Sequence, residues 1–155
     1  MNKKGFTLVE LISVITVLGL ISLLTIPAVG RIIKDNREKA ASVNVDTILN
    51  AAYDYAQQCQ MYGKDTDSPM YNMYKECCEP ERNCLPEEAE ESTEKITYGD
   101  LVRVGLVKDT MKNPNTSLRY SDNLKIKITY YKKLPSKLPA NSKLFGNYLF
   151  EISEE

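Results

Sequence analysis

The chain has 155 residues, 20 basic and 21 acidic side chains, and neither histidine nor tryptophan. The commonest general base and commonest metal ligand are therefore missing, and a net charge of −1 does not indicate a globally basic nucleic-acid binder. About 30 residues go into one apolar run, and the rest is enough for one small domain and not two.

The run opens with Lys3-Lys4-Gly5-Phe6-Thr7-Leu8-Val9-Glu10 and stays apolar as far as Val29. Between Phe6 and Gly30 the only charge is Glu10. As a helix rising about 1.5 Å per residue the segment measures roughly 37 Å, enough to cross a hydrocarbon core of about 30 Å. An acidic side chain inside such a run is costly and is a functional candidate by default. If the chain is cut after Gly5, Phe6 becomes a new amino terminus one helical turn from Glu10. A free ammonium and a carboxylate could then neutralise each other, within one molecule or between neighbours, where water cannot do so. A secretory signal would need a small-residue cleavage site after an apolar core of about 7–15 residues, and this run is longer, with no Ala-x-Ala behind it. A plain anchor would explain the length but not Glu10. Lys3 and Lys4 precede the run and Arg31, Lys34, Arg37 and Lys39 follow it, so basic residues do not choose its orientation.

Lys-Gly-Phe-Thr-Leu-Val-Glu followed by about twenty apolar residues resembles the class III signal of type IV pilins and of the pseudopilins of type II secretion and competence systems. The resemblance implies a single-pass precursor in the inner or cytoplasmic membrane. It implies a prepilin peptidase and methyltransferase that cuts between Gly5 and Phe6 and N-methylates Phe6. Glu10 would then meet the amino terminus of a neighbouring subunit during assembly, and Pro27 would bend the helix. The partners implied are other pilin subunits and the pilus assembly machinery, with an extracellular pilus or pseudopilus as the destination. No cofactor is implied. The expected fold class is α+β: a long N-terminal helix, its first half membrane-spanning, packed on a small antiparallel β-meander. Residues 1–5 would be leader, 6–30 the transmembrane and assembly helix, and 31–155 the extracellular head with the second half of the helix.

Beyond Gly30 the sequence turns amphipathic. Ala41, Val45, Ile48, Ala52, Tyr55 and Cys59 recur at spacings of four and three, the stripe of a helix that buries one side. One helix is expected from about Phe6 to about Gln58, roughly 80 Å long. A bend is expected at Pro27, which removes a backbone donor and crowds the preceding turn.

Cys59, Cys77, Cys78 and Cys84 fall in one short window. An even count in a small loop-rich domain outside the cell reads as two disulfides. Joining adjacent Cys77 and Cys78 is sterically unfavourable, which leaves Cys59 paired with Cys77 or with Cys78, and Cys84 with the other. Free thiols and a metal site are the alternatives, but there is no Cys-x-x-Cys and no histidine to complete a site. The stretch from Gly63 to Glu94 is the least regular part, and residues 76–94 hold eight glutamates and one arginine. This reads as a solvated loop kept ordered by disulfides, and its glutamate spacing does not fit a calcium-loop pattern.

Thr97-Tyr98-Gly99-Asp100 has the form of a capping box, followed by a short helix stopped at Gly105. The stretch Asp100 to Val107 is similar to one found between helix and sheet in many Gram-positive pilins. Leu124, Ile126, Ile128 and Tyr130 alternate as a strand, and Tyr148, Phe150 and Ile152 repeat the pattern. Leu118 and Tyr120 could supply a third strand through a turn at Ser121-Asp122-Asn123. Leu134 to Lys143, with Pro135 and Pro139, reads as an exposed loop. Residues 112–143 carry eight basic side chains and one acidic. Their opposition to the acidic 76–94 segment is either a solvated surface or a contact between subunits sensitive to salt. Nucleic acid capture by Tyr130, Tyr131, Lys132 and Lys133 is not indicated.

Type IV pilin-like assembly, serving adhesion, motility, secretion or DNA uptake, is the function these features point to. The alternative is a single-span anchored extracellular domain that acts as receptor or adhesin without polymerising. No residue has a catalytic case.

Overall fold

The computed structural model describes residues 7–63, 65–75, 77, 84–87 and 91–153, without the side chains of Leu24, Ile26, Pro27 and Ala28. It is α+β. Helix α1 runs Leu8–Tyr62, and the chain divides into two compact units, Met1–Lys39 and Ala40–Glu155. In the first unit every described side chain from Thr7 to Lys39 is exposed. Among the described residues, no helix is long and apolar enough to cross a membrane.

The second unit begins with the carboxyl-terminal turns of α1 and continues through α2 (Tyr71–Tyr74), β1 (Ser92–Thr97), α3 (Tyr98–Arg103), β2 (Lys125–Tyr130), β3 (Ser142–Phe145) and β4 (Tyr148–Ile152). Ile48, Ala52, Tyr55 and Cys59 of the sequence stripe are buried, and Val45 packs against them. Leu49, Ala51 and Ala56 are buried as well, so the apolar face is wider than the four-and-three spacing suggests. The extra width places three alanines, Ala51, Ala52 and Ala56, on the buried face beside the larger side chains. The helix also runs four residues beyond Gln58, ending where Gly63 donates its N–H to the Cys59 carbonyl at 3.0 Å. At Gly63 a Cβ would lie 2.6 Å from that carbonyl and 3.0 Å from the Tyr74 carbonyl, which is why a residue without one sits there.

The sheet is antiparallel throughout, in the order β1-β2-β4-β3. The chain leaves the place beside β2 open and fills it on the return with β4. Ile126 pairs with Ile152, Ile128 with Phe150 and Tyr130 with Tyr148, setting apolar residues opposite one another on the face toward α1. Tyr53 of α1 stacks on Phe145 at 4.4 Å between ring centroids and meets Phe150 edge-on at 5.9 Å.

Three segments depart from the sequence reading. Leu118 and Tyr120 do not form a sheet strand. The chain there folds on itself through a single bridge, Lys112 to Arg119, leaving Leu118 exposed and turning Tyr120 against Tyr98. Arg119 fixes this hairpin by pairing with Asp109 and with Asp122, the latter at 2.7 Å. In its place the sheet takes β1, from the edge of the acidic segment, and β3, from the end of the proline loop. β1 has one fully buried residue, Ile96, and a bulge between Thr93 and Ile96, so alternation is nearly absent. β3 joins β4 through the two-residue turn Gly146-Asn147, with Gly146 at φ +61°.

The expected helix after Thr97 is α3, and its capping box is complete. The Thr97 hydroxyl accepts from the Asp100 N–H at 3.3 Å, and Asp100 Oδ2 accepts from the Thr97 N–H at 3.0 Å. Gly105, at φ +78°, ends the turn and returns Leu106 toward the core.

Candidate processing and assembly site

Gly5 and Phe6 lie outside the described residues; the first residue described is Thr7. Thr7 precedes the first helical residue, and its hydroxyl accepts from the Glu10 N–H at 3.3 Å. Glu10 reaches back, and one oxygen, Oε2, accepts both the Thr7 N–H and the Thr7 hydroxyl at 2.8 Å. This is a capping box, Thr-x-x-Glu, built like the one at Thr97 and Asp100. It satisfies donors at a helix start and sets a negative charge near the positive end of the helix dipole. The sequence reading gives Glu10 the Phe6 amine of its own or a neighbouring chain as partner and does not include Thr7, although the spacing of Thr7 and Glu10 is the sequence sign of a cap.

The next polar side chains follow one rule. Ser13, Thr16, Ser22 and Thr25 donate their hydroxyls to the carbonyls of Val9, Ile12, Leu18 and Ile21, at 2.7, 2.7, 2.7 and 3.2 Å. Each hydroxyl is satisfied within its own helix. The helix thus presents an outer surface of Leu, Ile and Val with no hydroxyl needing an outside partner, which suits apolar surroundings. Helix α1 continues through position 27, whereas the side chain of Pro27 lies outside the described residues.

The amino terminus therefore consists of a dibasic pair, a glycine, an aromatic residue, a capped acid and an apolar helix whose hydroxyls are bonded to its own backbone. Residues 1–26 match the prokaryotic N-terminal methylation motif. The methylation motif is the class III signal that the opening residues resemble, and it marks a type IV pilin-like substrate of a prepilin peptidase. It points to a structural subunit and to a membrane-anchored precursor destined for the surface. Neither the curated proteins nor the solved structures gave a match to the chain.

The cysteine cluster lies in the second unit. Cys59, at the end of α1, is bridged to Cys77, just after α2, with 6.1 Å between Cα atoms. Of the two pairings left open by the sequence, this selects Cys59 with Cys77. Cys84 is buried and disulfide-bonded, and Cys78 lies outside the described residues. Tyrosines pack beneath the bridge: Tyr74 lies 5.8 Å from Tyr55 and 6.1 Å from Tyr62 between ring centroids, and its hydroxyl donates to Gln58. Burial, and then the Asp100 charge, push the Tyr55 phenol up to about 12, although Arg103 donates to its oxygen at 3.4 Å. Burial also raises Tyr74 and Tyr98. These phenols are structural hydrogen-bonding groups. Among the described residues no three His, Cys, Asp or Glu side chains come together as metal ligands.

Proposed function

We propose that this chain is a type IV pilin-like subunit. Its leader, residues 1–5, is removed between Gly5 and Phe6, and Phe6 is N-methylated. Residues 6–30 hold the precursor in the membrane as a single span, bent at Pro27, and the subunits then polymerise through this helix into a surface filament. The observation that carries the reading is the methylation motif over residues 1–26, on the part of α1 where the described apolar side chains from Leu8 to Ile33 are exposed. Moving such a helix from lipid into a bundle of like helices changes its apolar surroundings little. Association must then come from packing and from a specific polar contact. Glu10 supplies that contact by meeting the Phe6 amine of a neighbour, and the Thr7 cap keeps the carboxylate at the helix end until it does.

Intact mass of the protein from its native cells tests the processing: the chain should begin at Phe6 and carry one added methyl group. A protein that retains Met1 and never enters a fibre would refute the proposal. Two substitutions separate the roles of Glu10. Glu10→Gln keeps a side chain able to close the cap and loses the charge, whereas Glu10→Ala loses both. Both variants should insert into membranes and fail to enter filaments; incorporation of Glu10→Gln at the wild-type level would remove the ion pair from the mechanism.

A further inference from the structure

The loop from β2 to β3 contains a tandem repeat, Lys133-Leu134-Pro135-Ser136 followed by Lys137-Leu138-Pro139-Ala140. It is held at both ends. The Tyr131 N–H donates to the Asn147 carbonyl at 2.8 Å, the Asn147 side chain donates back to the Tyr131 carbonyl at 2.9 Å, and the Ser142 hydroxyl donates to the Pro139 carbonyl at 2.7 Å. Two prolines restrict its backbone further. Between these ties Leu134 is 51% exposed and Leu138 42%, and Lys132, Lys133 and Lys137 are exposed beside them. Single exposed leucines are ordinary; two in the same Lys-Leu-Pro setting on a tethered loop are not. No acidic residue lies between Tyr131 and Lys143. Lys143 itself belongs to the head, pairing with Asp46 at 3.6 Å.

The lysines call for an anion and the leucines for an apolar phase, and a lipid surface supplies both. We propose that residues 132–138 dock on an anionic lipid bilayer, with the leucines entering the headgroup boundary and the lysine ammoniums meeting lipid phosphates while their stems lie along the apolar layer. A nucleic acid would use exposed rings for stacking, yet Tyr130 is engaged with Tyr148 at 5.2 Å and both Tyr130 and Tyr131 are half-buried. The acidic segment of a second copy would meet the lysines but offer the two leucines no apolar phase, and its Glu94 already pairs with Lys125 at 3.8 Å and accepts from Ser153 at 3.0 Å. A lysine near an anionic membrane contributes about fivefold in binding, so three contribute roughly a hundredfold, screened away in molar salt. This inference stands apart from the pilin-like reading and does not need it.

The chain has no tryptophan, so Leu138→Trp in the full-length protein is a single reporter of the loop. With vesicles of mixed phosphatidylglycerol and phosphatidylcholine bearing brominated acyl chains, emission should move to the blue and be quenched at low salt. Vesicles of phosphatidylcholine alone, molar salt, or the added changes K132E, K133E and K137E should each abolish the quenching. An unshifted, unquenched signal on anionic vesicles would overturn the proposal, and so would equal quenching on both lipids. A blue shift that grows with protein density but is not quenched would overturn it in favour of a second copy. Leu134→Trp repeats the test at the other leucine should the first variant misfold. Resistance to alkaline carbonate extraction, read on the same samples, reports the span separately: quenching without resistance fails only the span, and resistance without quenching fails only the loop.

Discussion

Removing the Cys59–Cys77 bridge is the most direct test of how the head is held together. The bridge ties the end of α1 to the turn after α2, across a sequence separation of 18. Chain-entropy arguments give about 3 kcal/mol for a loop of that length. For a unit of roughly 100–120 residues, with an unfolding entropy of about 2.1 cal/mol/K per residue, that loss lowers the melting temperature by about 12 °C. Cys59→Ala with Cys77→Ala is the suitable pair of changes, because both cysteines are buried and a hydroxyl in their place would need partners. The assay is thermal unfolding of the full-length protein in detergent, followed by near-ultraviolet dichroism of tyrosine. All ten tyrosines lie at or beyond Tyr53, so the signal reports the second unit and not the apolar helix. Reductant added to the wild-type protein should shift the midpoint at least as far, since it also opens the bridge at Cys84. A shift under about 3 °C, equivalent to less than about 1 kcal/mol, would show that packing and not the bridge fixes this end of the helix.

Other substitutions test the remaining elements. Ile128→Ala, at a fully buried position opposite Phe150, should cost about 2–5 kcal/mol in the same melt. Thr97→Ala removes the cap of α3 and should cost about 1 kcal/mol, with Thr97→Ser restoring most of it. Gly63→Ala forces a Cβ against the Cys59 carbonyl and should cost about 1–3 kcal/mol, measured as a fall in the denaturation midpoint. The head should also weaken in alkali. A phenol whose folded pKa is raised contributes full stability below its unfolded value near 10, and loses it as pH rises toward about 12 for Tyr55. Tyr74 and Tyr98 shift in the same direction, so stability measured from pH 9 to 12 should fall, and Tyr55→Phe should flatten part of that fall.

The parts of this chain legible in its sequence are those whose signal is local. The stripe through Ile48, Ala52, Tyr55 and Cys59 is a 3.6-residue period and becomes a buried face, and Thr97 to Asp100 is a cap spelled by four residues. Leu149 shows where a period alone falls short: it points away from Phe150 along β4 and is buried too, so that strand does not alternate cleanly. β1 could not be read because its place is set by pairing with β2 and by one residue, Ile96. β3 left only the Gly146-Asn147 turn as a sign. At the amino terminus the reverse happened. Glu10 is conspicuous as a lone charge in an apolar run, whereas its near partner Thr7 is an ordinary polar residue at the start of that run.

The placement of β1 also changes how the charge asymmetry should be understood. In sequence the acidic 76–94 segment and the basic 112–143 segment are remote, and their opposition invites a contact between molecules. In the fold, β1 lies alongside β2, so the end of one segment is hydrogen-bonded to the strand at the centre of the other. Glu94 pairs with Lys125 across that ladder, and the Tyr130 N–H donates to the Glu91 carbonyl just before β1 begins. Glu94 sits in the bulge between Thr93 and Ile96 while Lys125 faces Thr97, so the pair reaches across diagonally and, being exposed, is worth little by itself. With so few apolar residues in β1, the burial of Ile96 is what fixes its register. Part of the acidic charge is therefore committed within the chain, while Lys132, Lys133 and Lys137 lie beyond the end of β2, past the reach of that strand pairing. Those three lysines are exposed together on one tethered loop, where they can act outside the chain.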